Sequence, residues 1–68
     1  MYKAEICLNI PGKSWDGGVI GSLRFKNKKR LNHFSVYYTN KVDCLIRVYW
    51  DNEWMCSYLK GKDIWNRW

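Results

Sequence analysis

Residues 2–10 constrain the fold more than any other segment, because apolar and polar side chains alternate there without a break. A period of two residues is typical of a strand that buries one face and exposes the other to water. A proline and a glycine follow directly and end the pattern. The sequence therefore predicts an N-terminal strand whose buried positions are Tyr2, Ala4, Ile6, Leu8 and Ile10.

Four further segments show the same alternation, and they lie within residues 19–25, 34–38, 42–50 and 54–58. Helical periodicity is weak everywhere, apart from a C-terminal turn that Asp63 would cap, where a short sixth strand is the alternative. We therefore predict an all-β fold, a strongly twisted five-stranded antiparallel meander. A flat sheet of this size has no second layer, so we expect it to curl toward a small SH3-like or similar barrel.

The registers of the predicted hairpins follow from the alignment of their apolar faces, because a slip of one residue turns a whole face outward. Between the second and third strands, this alignment pairs Phe25 with Phe34 and leaves a loop over residues 28–31. Between the third and fourth strands, it requires a three-residue loop over residues 39–41. The first of these loops would carry a cluster of cations at its tip.

The last hairpin offers two alternatives. A two-residue turn over Asp51 and Asn52 would leave Trp54 on the outer face of the sheet. A three-residue loop over residues 50–52 pairs Val48 with Trp54 and aligns the apolar faces, with an asparagine in the left-handed conformation that it tolerates. We therefore predict the longer loop.

The length and the cysteine content limit the class of protein. The 68 residues suffice for one small basic β domain spanning residues 1–68. The three cysteines are odd in number and widely spaced, which favours a reducing compartment, the cytoplasm, over a disulfide framework. Lys3, Glu5 and Asn9 interrupt the apolar N-terminal stretch, so it does not resemble a secretory signal, and we expect no membrane-spanning segment.

Positive charge is concentrated in residues 24–30, which carry five cations and no acidic residue in a chain with a net charge of +6. Such an excess suits nucleic acid, an anionic membrane surface or an acidic protein face. Lysine on hairpin tips and exposed strands also serves solubility and protection against edge pairing. The charge run alone therefore does not establish a binding site.

The predicted registers gather the cations into a row, in which His33 lies between Lys26 and Arg47 on the outer face. Like charges directly opposite on a sheet are destabilising by up to about 1 kcal/mol, so folding alone gives no reason for such a row. A nucleic acid would remove the repulsion, with cations on its phosphates and tyrosine rings stacked on its bases. The predicted nucleic-acid-binding residues are Arg24, Lys26, Lys28, Lys29, Arg30, His33, Tyr37, Arg47 and Tyr49.

Other motifs give little support for catalysis or metal binding. Residues 12–14 are similar to part of a phosphate-binding loop but lack its first glycine and its helix. The cysteines form no close ligand pair of the kind that zinc sites use, and Cys44 and Cys56 are expected in the core. His33 is expected beside cations rather than a carboxylate. We expect no enzyme, cofactor or metal; a small nuclease that uses His33 is the catalytic alternative.

The sequence thus predicts a module that binds DNA or RNA, as single strands or with weak sequence specificity. The alternative is a protein-interaction module or inhibitor that docks on a host machine for nucleic acids, in an anti-defence or regulatory role. Its basic face would then meet an acidic protein surface, and Trp15, Trp65 or Trp68 would serve as apolar anchors. Tyr37 could instead form a homodimer contact. We expect no membrane binding, because no long amphipathic helix is visible.

Overall fold

The fold is an antiparallel sheet with one helix packed on one face, as seen in a computed structural model that describes residues 1–8 and 18–64. The elements are β1 (Tyr2–Leu8), β2 (Val19–Phe25), α1 (Lys28–Lys41), β3 (Cys44–Trp50), β4 (Glu53–Leu59) and β5 (Lys62–Ile64). The strand order is β2-β1-β3-β4-β5, and every neighbouring pair is antiparallel. The prediction of a small, mostly antiparallel β fold with five strands is confirmed.

The predicted third strand is wrong, because residues 34–38 belong to helix α1. Leu31, Ser35 and Thr39 are spaced four residues apart and are all buried, so they form one face of the helix against the sheet. Two of these three side chains are polar, which hid the helical period in the sequence. Asn27 caps the helix, since its side-chain oxygen accepts the backbone N–H groups of Lys29 at 2.8 Å and Arg30 at 3.4 Å.

The helix changes the sheet topology, so the predicted meander and barrel are also wrong. β1 lies between β2 and β3, and its residue Ala4 is opposite both Leu23 and Val48. β2 and β5 are the two edges of the described sheet, which is therefore open. The second layer that the sequence seemed to lack is α1, so the sheet does not need to close on itself to cover its apolar face.

The core lies between α1 and the sheet. Its buried members are Ala4, Ile6, Leu31, Cys44, Ile46, Val48, Cys56 and Tyr58. The predicted strand pairing of Phe25 with Phe34 is wrong, yet the two rings pack with centroids 5.4 Å apart, and Phe34 lies 5.4 Å from Tyr38. Helical residues four apart thus supply the aromatic contacts that strand alternation was expected to supply.

Hydrogen bonds connect α1 to strand β4 and to the turn between β4 and β5. Tyr58 donates its hydroxyl to Asn32 Oδ1 at 2.8 Å. Thr39 Oγ1 donates to the Ser35 carbonyl at 2.7 Å and accepts the Gly61 N–H at 2.9 Å. Gly61 has a φ of +79°, a region that glycine adopts without strain. These contacts fix the orientation of α1 and therefore which of its residues face water.

The predicted three-residue loop between β3 and β4 is wrong. Asp51 and Asn52 form a two-residue turn with φ values of 53° and 65°, and Trp50 pairs with Glu53 across it. The register then shifts so that Val48 pairs with Cys56 rather than with Trp54. This bulge adds one residue to β4 and returns the inner face to the core, so the short turn and the apolar alignment coexist.

The C-terminal segment follows the strand alternative as far as it is described. Lys62–Ile64 is strand β5, so a helical turn that begins at Asp63 is wrong. Ile10, the loop at residues 12–14, and Trp15, Trp65 and Trp68 lie outside the described residues.

Candidate nucleic-acid interface

The nine predicted binding residues do not form one row, because α1 divides them between two faces of the molecule. Lys28, Lys29, Arg30, His33 and Tyr37 lie on the helix, and Lys26 lies in the connection from β2. Arg24, Arg47 and Tyr49 lie on strands β2 and β3. The predicted alignment of Lys26, His33 and Arg47 is therefore wrong.

Arg47 is balanced within the molecule. Its Nη2 atom lies 2.5 Å from Glu5 Oε1 across the β1–β3 pair, and both side chains are about one-fifth exposed. Sequence reasoning missed this ion pair because it placed the N-terminal strand away from residues 44–50. An arginine already paired with a carboxylate is a poor phosphate ligand, so we leave Arg47 out of the candidate interface.

Four of the predicted residues come together on the side of α1 that faces water. Lys29, His33 and Tyr37 are spaced by four residues and therefore lie on one face of the helix. With Asn27, Arg30 and Phe34 they line a shallow groove of about 640 Å³. Tyr37 is 59% exposed, and Lys41, one turn further on, places its Nζ 5.5 Å from the Tyr37 ring centroid.

We call Lys29, Arg30, His33, Tyr37 and Lys41 the outer helix face. Sequence reasoning missed Lys41, although its spacing of four from Tyr37 was the available signal. Lys28, the remaining predicted helix residue, belongs elsewhere: its charge acts on the buried thiol of Cys56 and lowers the pKa of that thiol, against a larger rise caused by burial.

The charges at the start of α1 oppose the helix dipole. The first turn contains Lys28, Lys29 and Arg30 and no acidic residue, while the N-terminal end of a helix carries partial positive charge. Each such cation costs about 0.3–1 kcal/mol when exposed. α1 as a whole contains no acidic residue that could offset them. A bound anion would reverse this repulsion, which makes the outer helix face a candidate for anion recognition.

A second group of cations lies on the face of the sheet that α1 does not cover. Lys3 is directly opposite Arg24 on β2 and opposite Tyr49 on β3. Like charges in this position are destabilising by up to about 1 kcal/mol. The Lys3 Nζ lies 5.3 Å from the Tyr49 ring centroid, so a lysine lies over the ring that was expected to stack on a base.

The described residues offer little for catalysis or metal binding. They contain no group of three histidine, cysteine or acidic side chains that could hold a metal ion. Cys7, Cys44 and Cys56 are buried, and the expected core position of the last two is confirmed. Burial raises the pKa of the Cys56 thiol to about 11 and also raises the pKa of Cys44. Protonated, enclosed thiols are poor nucleophiles.

Comparisons with known proteins give no further assignment, since the chain matches no protein-family model, no curated protein and no solved structure. Across the described ranges, helix α1 is too short and too polar to cross a bilayer. The interface must therefore be interpreted from its own charges and geometry.

Proposed function

We propose that this protein binds nucleic acid through the outer helix face, without strong sequence specificity. The observation that carries the proposal is the positive charge of Lys29 and Arg30 at the start of α1, which no acidic residue of the helix offsets and which His33, Tyr37 and Lys41 continue along the same face. Cations beside an exposed aromatic ring are typical of surfaces that bind phosphates and bases together.

The dimensions of α1 fit a short stretch of polymer. Its 14 residues span about 21 Å at 1.5 Å per residue, which corresponds to about six phosphates of one strand at 3.4 Å each. In the proposed complex, Lys29, Arg30 and Lys41 neutralise phosphates, and the exposed ring of Tyr37 contacts a base or sugar. Asn27 cannot easily read a base, because its side-chain oxygen caps the helix. Contacts of this kind give affinity with little sequence discrimination.

The experiment is a salt titration of binding, measured by fluorescence anisotropy with labelled single-stranded DNA, single-stranded RNA and duplex DNA. Three phosphate contacts predict a slope of log affinity against log salt of about −2 on single strands. The double substitution Lys29→Ala/Arg30→Ala should flatten the slope by about 1.4 and weaken binding at low salt. The matched control is Lys60→Ala/Lys62→Ala, which removes two lysines from the β4–β5 hairpin.

Stability provides a second readout, because removal of cations from the first turn relieves the repulsion with the helix dipole. We expect Lys29→Ala/Arg30→Ala to unfold at an unchanged or higher urea concentration, with a gain of up to about 1 kcal/mol. Weaker binding by a variant that is no less stable supports a binding role. Binding that is independent of salt, or equal loss in the control variant, contradicts the proposal.

The second candidate function is docking on an acidic protein surface by the same helix face. Its predicted anchors, Trp15, Trp65 and Trp68, lie outside the described residues, so it is carried only by Phe34 and Tyr37 in the groove. Association that survives nuclease treatment and is lost in Lys29→Ala/Arg30→Ala would favour this candidate over the first.

A further inference from the structure

A second cluster of basic and aromatic residues lies on the opposite side of the sheet from α1. Lys3 and Arg24 face each other across β1 and β2, and Tyr49 is the neighbour of Lys3 on β3. Together they border a hollow of about 370 Å³. The described residues that line it are Met1, Lys3, Arg24, Tyr49, Trp50, Asp51 and Asn52.

Within the part of the chain that the structure describes, the cations beside this hollow lack the ion pair that a neighbouring arginine of the sheet forms. One register step away, Glu5 balances Arg47 at 2.5 Å. Lys3 and Arg24 form no ion pair with a carboxylate of the described residues. Asp51 also lines the hollow, so its two side-chain cations are offset by one carboxylate and a positive excess remains. The sheet therefore neutralises one cation and leaves two others adjacent.

The hollow has the charge to bind a phosphate. Lys3 and Arg24 supply cationic donors from adjacent strands, and the Asn52 side chain adds polar capacity at the turn. Trp50 borders the hollow but is not part of its cationic face. Its ring packs on Tyr2 at a tilt of 49°, with centroids 4.6 Å apart, and Tyr2 packs against the core, so the Trp50 ring lies toward the α1 side of the sheet.

We infer that Lys3 and Arg24 form a second contact site for the phosphates of a nucleic acid, and that the protein bridges two segments of the polymer. The inference rests on the proposed function of the outer helix face. The two sites lie on opposite sides of the sheet, since Lys3 points away from the core that α1 covers. A strand bound along the helix therefore leaves the second site open to another strand.

Bridging is measured with two oligonucleotides of the same sequence, one immobilised on beads and the other fluorescent and free. The wild-type chain should retain the fluorescent strand on the beads in proportion to the protein added. The variant Lys3→Gln/Arg24→Gln should still bind a single labelled strand within about threefold of wild type, because the outer helix face is intact. Its capture of the second strand should fall by about tenfold or more.

Two further variants separate the roles of the sites. Lys60→Gln/Lys62→Gln removes the same charge from a different surface and should capture the second strand as wild type does. Trp50→Ala should also capture the second strand as wild type does, because it leaves both cations in place and the Trp50 ring packs on Tyr2 toward the α1 side. Thermal unfolding of each variant reports whether the fold is retained. Lys3→Gln/Arg24→Gln should unfold at nearly the same temperature as wild type, because the relieved like-charge repulsion and the lost contact of Lys3 with the Tyr49 ring oppose each other.

The outcomes distinguish this inference from the proposed function. Binding without bridging by the wild type, or undiminished bridging by Lys3→Gln/Arg24→Gln, overturns the second site and leaves the helix site in place. Bridging by a dimer that uses two helix faces would appear as undiminished capture in that variant. Absence of any binding by the wild type overturns both the site and the proposed function.

Discussion

The two faces of α1 follow different rules. On the inner face, Leu31, Ser35 and Thr39 are buried, and their small or apolar side chains let the helix lie close to the sheet. On the outer face, Lys29 and Arg30 stand at the end of the helix where its dipole disfavours positive charge. Packing explains the inner face, whereas no acidic residue of α1 offsets the cations of the outer face. Local choices that conflict with folding are the expected mark of a functional surface.

The strongest way to break this comparison is to damage the inner face. Leu31 is fully buried in the core beneath α1, so Leu31→Ala should lower the free energy of unfolding by about 2–5 kcal/mol through lost burial and a cavity. His33→Ala, two residues away on the outer face, should change it by less than about 0.5 kcal/mol. Urea denaturation measures both. Equal losses would mean that the outer face also contributes to packing.

Alkaline pH probes the inner face without a substitution. Burial raises the pKa of Cys56 from its ordinary value of 9.0 to about 11, so the folded state keeps a proton that the unfolded chain releases. Stability from this thiol is fully present below pH 9 and is lost as the pH rises toward 11. About 2 kcal/mol should be lost by pH 11, out of a limit of about 3 kcal/mol for two units of pKa difference at 1.36 kcal/mol each.

The measurement is urea denaturation at several pH values between neutral and pH 11, with Cys56→Ala as the comparison. The variant lacks the titrating thiol, so its stability should fall less steeply over this range. Burial also raises the pKa of Cys44 and of Tyr58, which leaves some pH dependence in the variant. Parallel curves for the two proteins would contradict the assignment to Cys56.

The sequence was informative where strands bury apolar residues on one face. Alternation located β1, β2, β3 and β4 and identified Ala4, Ile46 and Val48 as core residues. It failed for α1 because Ser35 and Thr39 are polar yet buried, while Phe34, Val36 and Tyr38 happen to alternate. The spacing of apolar residues in a sequence reveals a buried helix face only when the buried residues are apolar.

The bulge in the last hairpin shows a second limit. Face alignment ruled out a two-residue turn, because a regular ladder would have turned Trp54 outward. Asp51 and Asn52 form that turn nevertheless, and an extra residue in β4 restores the alignment beyond it. Bulges leave little trace in the sequence, since they shift a pattern without changing its composition.

Only part of the candidate interface could be predicted from the sequence. Charge and aromatic content indicated a polyanion partner, and four of the predicted residues do share the groove on α1. The positions of the cations depend on whether residues 28–41 form a helix or a hairpin. The sequence predicted a hairpin, which wrongly grouped Arg24 and Arg47 with the residues that lie on α1. Composition alone therefore does not determine which residues share a site.

The smallest expected effect concerns Ser35, because the inner face of α1 also contains one residue that is unfavourable for folding. Ser35 is fully buried, and its Oγ has no hydrogen-bond partner within residues 1–8 and 18–64. Ser35→Ala removes this unpaired hydroxyl and improves helix propensity, so the free energy of unfolding should rise by about 1 kcal/mol. Urea denaturation measures the gain, and Ser22→Ala, on an exposed strand position, is the control and should not be stabilising.

Nucleic-acid affinity of the same variant decides what the conflict means. If Ser35→Ala is more stable and binds nucleic acid as wild type does, then a residue that destabilises the fold need not have a function. The case for the outer helix face would then depend on its excess positive charge and not on the destabilisation that this charge causes. If binding weakens despite the gain in stability, the inner hydroxyl influences how α1 is presented. A loss of stability would instead show that the Ser35 hydroxyl has a favourable contact in solution.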